Sequence, residues 1–247
     1  SKTGLPAMQA GKTVFDGTPC RLAYAVMAVG DSRGLAPRVE VMQKGGIAKN
    51  DLPQAVLTVS ALGQPTDLDA MLELAAKSPA LLPSLAQGCA KNLRVPSRSA
   101  DAIKFLSHKE AVIRASAARL CGVWKIRSAR EKLIGLARSD TLGRDEASSL
   151  CSALGALGAD SDLEKFSALG NQPALRAAAI SSRAKSDLSG AADSAAELLS
   201  SLELFELSDA RTVYGGFISH PAGPDALAKA LAMALARVAA MAGIRVM

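Results

Sequence analysis

The chain has 247 residues, of which 49% are hydrophobic but only 3% aromatic, and its formal net charge is +6. Ala and Leu supply most of the apolar volume, and both are strong helix formers. Runs of β-branched and aromatic residues at period two, which indicate a sheet, are scarce. No stretch reaches the roughly 18 uncharged apolar residues that a membrane span needs. The fold class that we predict is all-α.

Signals for the start of a helix recur along the chain at nearly constant intervals of 28 to 34 residues. The first set is Ser32, Thr66, Ser99, Ser128, Ser161, Ser189 and Gly223. A second set lies between them: Asn50, Ser78, Ser107, Thr141, Asn171 and Ser208. Each unit is therefore predicted to be a pair of short helices, about 30 residues long and repeated about seven times, which is the period of a solenoid.

Two kinds of residue support these helix starts. Three pairs have the spacing of a capping box: Thr66 with Asp69, Ser128 with Glu131, and Ser161 with Glu164. Pro79 and Pro173 fall where a first helical turn tolerates proline, because the N–H that proline lacks has no helical partner there.

The unit at residues 113–137 shows the predicted packing most clearly. Its first helix has one apolar stripe, formed by Ile113, Ala117, Leu120, Cys121 and Trp124. A second stripe follows, formed by Ala129, Leu133, Leu136 and Ala137. Neither helix can bury its stripe alone, so neighbouring pairs must stack.

Helix pairs without strands and with a variable period resemble HEAT-like repeats. The resemblance covers residues 18–247 and implies a right-handed α-solenoid of about seven helix pairs, preceded by an irregular tail over residues 1–17. The chain ends on the apolar run "ALARVAAMAGIRVM", without the polar cap that solenoid ends need. We therefore expect it to be excised from a longer multidomain polypeptide.

Two segments carry a narrower resemblance. "RASAARLCGVWKIRSAREKLIGLA" and "FISHPAGPDALAKALAMALARVAAMAGIRV" are similar to the HEAT-like region of large planctomycete- and verrucomicrobial-type heme-binding proteins. Such exported proteins join a sugar-dehydrogenase-related propeller, a solenoid and a c-type cytochrome domain. The resemblance implies a connecting or interaction module in the periplasm or outside the cell; without it, the expected location is the cytoplasm. The chain has no Cys-x-x-Cys-His motif, so no heme site is carried over and no cofactor is predicted.

Candidate catalytic and metal sites are weak. "PAMQAGKT", residues 6–13, imitates a phosphate-binding loop, but Pro6 stands at its first glycine position. The four cysteines have no metal-ligand spacing, and Cys89, Cys121 and Cys151 recur at 32 and 30 residues, which predicts equivalent buried positions. The two histidines, His108 and His220, have no suggestive neighbours and are interpreted as surface or capping residues. We therefore predict that the chain is not an enzyme.

The only tryptophan, Trp124, lies on an apolar stripe. A stacking platform for single-stranded nucleic acid needs a series of aromatic residues. One Trp, two Tyr and five Phe cannot supply such a series, so Trp124 is interpreted as core.

The positive charge is concentrated in the middle of the chain. Residues 91–138 contain 12 Lys and Arg against 3 Asp and Glu, whereas residues 139–247 contain 9 against 13. The candidate surface for an anionic partner consists of Arg114, Arg119, Lys125, Arg127 and Arg130.

Three interpretations of this charge remain open: solvated helix faces, an acidic protein or neighbouring domain, and nucleic acid or an anionic polysaccharide. We predict a non-catalytic scaffold within a larger heme-containing oxidoreductase-like protein, docking a protein or a domain of the same polypeptide. The alternative is a nucleic-acid-binding HEAT-repeat protein, either a basic-groove binder or one like a DNA glycosylase. Duplex DNA binding that weakens steeply with salt would distinguish it.

Overall fold

The computed structural model describes residues 35–139, 141–168, 170–200 and 206–241, with backbone alone for residues 36–38 and 238–241. Within these ranges every regular element is a helix: twelve α-helices and three short 3-10 helices, with no strand. The predicted all-α class is confirmed. The predicted tail, residues 1–17, lies outside the described residues, as do Ser32, Cys20 and the segment 6–13.

The chain divides into two compact units, Ser1–Ile126 and Arg127–Met247. The α-helices described in the first are α1 (Ala36–Gln43), α2 (Leu52–Leu62), α3 (Pro65–Lys77), α4 (Leu82–Cys89) and α5 (Ala111–Val123), with 3-10 helices at Pro79–Leu81 and Ser99–Ser107. The α-helices described in the second are α6 (Arg130–Ala137), α7 (Arg144–Ala156), α8 (Asp160–Ser167), α9 (Pro173–Arg183), α10 (Leu188–Ser200), α11 (Leu207–Ile218) and α12 (Gly223–Met241), after a 3-10 helix at Arg127–Ala129.

Within each unit, helices pack against the helix two positions further along the chain. In the first unit α1 contacts α3 and α2 contacts α4. In the second unit α7 contacts α9, α9 contacts α11 and α10 contacts α12. Such contacts between alternate helices bury the apolar stripes that a single pair leaves open.

Polar contacts between these layers span about one repeat length. In the first unit, Nδ2 of Asn92 donates to the carbonyl oxygen of Ser60 at 3.1 Å and to that of Gly63 at 3.0 Å, 32 and 29 residues earlier. In the second unit, Nη2 of Arg130 donates to Oδ2 of Asp162 at 2.6 Å, 32 residues later. The period seen in the sequence thus recurs in the contacts.

Glycine permits two close helix crossings. A Cβ at Gly88 of α4 would lie 2.6 Å from the carbonyl oxygen of Leu57 and 2.5 Å from Cβ of Ser60, both on α2. A Cβ at Gly216 of α11 would lie 2.7 Å from Cα and 2.8 Å from the carbonyl oxygen of Ser181 on α9. Any larger side chain at Gly88 or Gly216 would have to push the two backbones apart.

The predicted helix core is largely confirmed. Ile113, Ala117, Leu120, Cys121 and Trp124 are all buried. In the second stripe Ala129, Leu133 and Ala137 are buried, whereas Leu136 is only half-buried and Ile134 is buried beside it.

Pro79 and Pro173 occupy first helical turns, as predicted. The capping box predicted at Thr66 and Asp69 is wrong. Helix α3 begins at Pro65, and its capping box is formed by Gln64 and Asp67. Proline is preorganised for the first helical position, so Pro65 determines the start. Asp69 instead accepts hydrogen bonds from Ser97 and from the backbone N–H of Arg98.

The other two predicted capping boxes are also wrong. Helix α6 begins at Arg130 after a 3-10 turn that includes Ser128, and α8 begins at Asp160, one residue before Ser161. Neither helix has a side-chain N-cap bond. Short polar side chains form caps only where the backbone before them is extended, and tertiary packing decides that conformation.

The three described cysteines are free and buried, as their spacing predicted. Burial raises the pKa of Cys89 and Cys151 to about 12, so both thiols stay protonated near neutral pH. Because the thiolate is the reactive form, iodoacetamide should leave both unmodified in the native chain and alkylate both in denaturant. Peptide mass spectrometry measures this difference; equal alkylation of either cysteine under both conditions would contradict the burial.

Candidate functional site

The described residues contain no group of three His, Cys, Asp or Glu side chains that could hold a metal ion. Both histidines cap turns. Nδ1 of His108 accepts a hydrogen bond from the backbone N–H of Glu110, and Nδ1 of His220 accepts one from that of Ala222, each at 3.2 Å. These bonds agree with the interpretation of the histidines as capping residues. None of the helices in the described ranges is long and apolar enough to cross a membrane.

Three of the five predicted site residues lie in the first unit. Arg114 on α5 donates from Nη1 to the carbonyl oxygens of His108 and Lys109, both at 2.9 Å. Its guanidinium therefore ties α5 to the preceding turn. Arg119 on the same helix and Lys125 just after it are exposed.

The other two predicted site residues, Arg127 and Arg130, lie in the second unit. Arg127 is exposed. Arg130 forms the ion pair with Asp162, and this hydrogen bond raises the pKa of Arg130. The 32-residue separation of Arg130 and Asp162, close to one repeat, is a sequence signal that could have predicted the pair.

The turn that ends α5 places Lys125 in the left-handed region, with φ at 51°. The backbone N–H of Lys125 donates to the carbonyl oxygen of Gly122 at 3.1 Å, and that of Ile126 donates to Cys121 at 2.9 Å. This is a Schellman turn, whose left-handed position is usually glycine.

The same turn ends two other helices, and both have glycine at this position. Gly45 after α1 has φ at 74° and Gly158 after α7 has φ at 70°, with the matching pair of backbone hydrogen bonds. Gly158 lies 33 residues after Lys125, so it is the equivalent position one repeat later. A residue with a Cβ costs roughly 1 kcal/mol in this conformation. The chain thus retains a lysine where glycine would be more stable.

Lys125 and Arg127 share a second property. Both side chains are exposed, and neither forms an ion pair with any residue that the structure describes. Exposed cations of this kind attract an anionic surface over a distance of about a Debye length.

Sequence reasoning missed one exposed apolar group. Residues 92–96 form an irregular segment in which Asn92 and Pro96 are buried, while Leu93 is 93% exposed. The segment is held in place by Asn92 and by Arg94, whose Nη1 donates to the carbonyl oxygens of Leu62 and Gly63 at 3.1 Å. An isolated Leu within a polar loop was the available signal. A large apolar side chain presented by an anchored loop suits contact with a protein partner.

Trp124 is buried at the end of α5, as predicted. Its indole Nε1 has no hydrogen-bond partner among the described residues. The ring is not available as a stacking platform.

Comparison of the chain with protein-family models, with curated proteins and with solved structures found no match.

Proposed function

We propose that this chain is a non-catalytic docking module. Its helix pairs form a right-handed α-solenoid of about seven HEAT-like pairs, and its basic segment, residues 91–138, binds an acidic protein or a neighbouring domain. Contacts between alternate helices within each unit support the stacking. Hydrogen bonds that span 29 to 32 residues, such as those of Asn92 and Arg130, support the same arrangement.

Lys125 is the observation that carries the binding proposal. Equivalent turns use Gly45 and Gly158, whereas this turn has an exposed lysine in the left-handed region. Strained backbone that persists where an easier residue exists is typical of functional positions. The ammonium group, without a carboxylate partner among the described residues, is the part of Lys125 that glycine would lack.

The mechanism is electrostatic attraction followed by short-range contact. The excess of nine positive charges over residues 91–138 attracts an acidic partner and increases its association rate. Leu93 supplies apolar contact area on the first unit once the partner has arrived. No step of this mechanism needs a nucleophile, a metal or a perturbed acid–base pair.

Replacing Lys125 with Gly should raise the free energy of unfolding by about 1 kcal/mol, because glycine adopts the left-handed conformation without strain. Urea denaturation measures the change. Lys185→Ser, which removes an exposed charge from the second unit, is the control and should leave stability within about 0.5 kcal/mol. A less stable Lys125→Gly chain would contradict the description of this turn.

The binding test uses polyglutamate as an acidic polypeptide probe and a DNA duplex of about 20 base pairs as a competitor class. Polyglutamate should bind the wild-type chain at low salt. Lys125→Gly and Arg127→Ser should each weaken binding about three- to tenfold, although Lys125→Gly is the more stable protein. Lys185→Ser is the charge-matched control and should bind as the wild type does.

Two results would overturn the proposal. Equal weakening by all three variants would mean that net charge alone attracts the probe. Binding of the duplex in preference to polyglutamate would favour the nucleic-acid-binding alternative.

A wider proposal places this module within a larger, exported, heme-containing oxidoreductase-like protein, in the periplasm or outside the cell. The resemblance of residues 114–137 and 217–246 to the HEAT-like region of such proteins supports it. Sequencing the full-length gene product tests it: a Cys-x-x-Cys-His motif downstream is expected, and an open reading frame that ends at Met247 would overturn it.

A further inference from the structure

Helix α11 exposes an apolar stripe. Leu207, Tyr214 and Ile218 are 69%, 53% and 57% exposed, and with Arg211 they occupy positions i, i+7, i+11 and i+4 of one helix face. The stripe carries a single charge, that of Arg211. A surface depleted of charge and containing a tyrosine and two aliphatic side chains has the composition of a protein interface.

The opposite face of α11 is already buried. Asp209, Val213, Gly216 and Phe217 are buried within the second unit, where α11 packs against α9 and α12. Helix α9, by comparison, packs against both α7 and α11. The exposed stripe of α11 is therefore the face on which the same layer packing would continue.

The order of residues along the stripe indicates what covers it. Read in either direction, the stripe has the spacing 4, 3, 4. Two antiparallel copies of α11, related by a two-fold axis near residues 212–213, therefore bring position 207 opposite 218 and position 211 opposite 214. We infer that a second copy of this chain docks on this face, α11 against α11.

This pairing is chemically self-complementary. Leu207 meets the partner's Ile218, and the guanidinium of Arg211 meets the ring of the partner's Tyr214, which is a cation–π contact. Each contact occurs twice, as a two-fold interface requires. The only charge on the stripe thus finds a favourable partner, and the aliphatic side chains leave water together. The stripe is small, so the dimer should be weak and concentration-dependent.

Sedimentation velocity over about 1 to 500 µM, a range in which weak interfaces dissociate, tests the inference. The wild-type chain should shift from monomer towards twice the monomer mass. Ile218→Glu and Tyr214→Ala should each weaken dimerisation at least tenfold, because both positions face the partner. Leu93→Asp, which changes an even more exposed leucine on the first unit, is the matched control and should dimerise as the wild type does.

Circular dichroism of each variant verifies that the helices remain, since the substituted side chains are exposed. A wild-type chain that stays monomeric throughout the range would overturn the inference. So would equal weakening by Leu93→Asp and Ile218→Glu, which would indicate nonspecific association of exposed apolar groups.

Discussion

Replacing Gly216 with Ala is expected to lower the free energy of unfolding by about 3 kcal/mol, whereas the same replacement at the adjacent Gly215 should raise it by about 0.7 kcal/mol. A Cβ at Gly216 would lie within 2.6 to 2.8 Å of atoms of Ser181, two of them backbone atoms, and α9 and α11 would have to separate. A Cβ at Gly215 meets no atom within 4 Å. There alanine only reduces the entropy lost on forming the helix.

Urea denaturation of both single variants measures the difference. Gly215→Ala is a closely matched control, because the substitution, the helix and the sequence context are the same. The protein is kept dilute so that self-association through α11 does not contribute. Equal effects of the two substitutions would show that α9 and α11 do not cross at Gly216.

Replacing Arg144 with Met should destabilise the chain by about 3 kcal/mol. Nε of Arg144 donates to Oδ1 of Asp209 at 2.9 Å, and the Asp209 side chain is only 3% exposed. The other carboxylate oxygen of Asp209 accepts the backbone N–H of Glu206 at the start of α11. Without Arg144 this buried carboxylate keeps its charge and loses its cation, and that loss costs far more than an exposed pair is worth.

Lys44→Met is the control for this experiment. It breaks the ion pair between Lys44 and Glu40, whose side chains are 72% and 64% exposed, and should cost no more than about 0.5 kcal/mol. Thermal and urea denaturation of both variants give the comparison. A cost for Arg144→Met as small as that for Lys44→Met would contradict a structural role for the buried pair.

The helical class and the core stripe around Trp124 could be predicted because both depend on local patterns. Side chains at 3.6-residue spacing share one helix face wherever the helix packs, so Ile113, Leu120 and Trp124 had to be buried together. The equivalent burial of Cys89, Cys121 and Cys151 followed from their near-constant spacing in the same way. Helix starts were harder to predict, since Pro65 outweighed Thr66 and a 3-10 turn displaced the start near Ser128.

The candidate surface required tertiary information. Five basic residues looked alike in sequence, yet Arg114 binds carbonyl oxygens of the preceding turn and Arg130 pairs with Asp162, one repeat away. Lys125 stands apart only through its backbone conformation, which no composition or charge count shows.

By itself, the sequence determined that this protein is all-helical, that its helices recur at about 30 residues, and which faces they bury, because periodicity is a local property of the chain. Only the tertiary structure decided which cations are held in internal contacts, where helices approach closely enough to require glycine, and which apolar face of α11 stays open. Those properties depend on atoms from segments about a repeat apart, and no local pattern specifies how such segments meet.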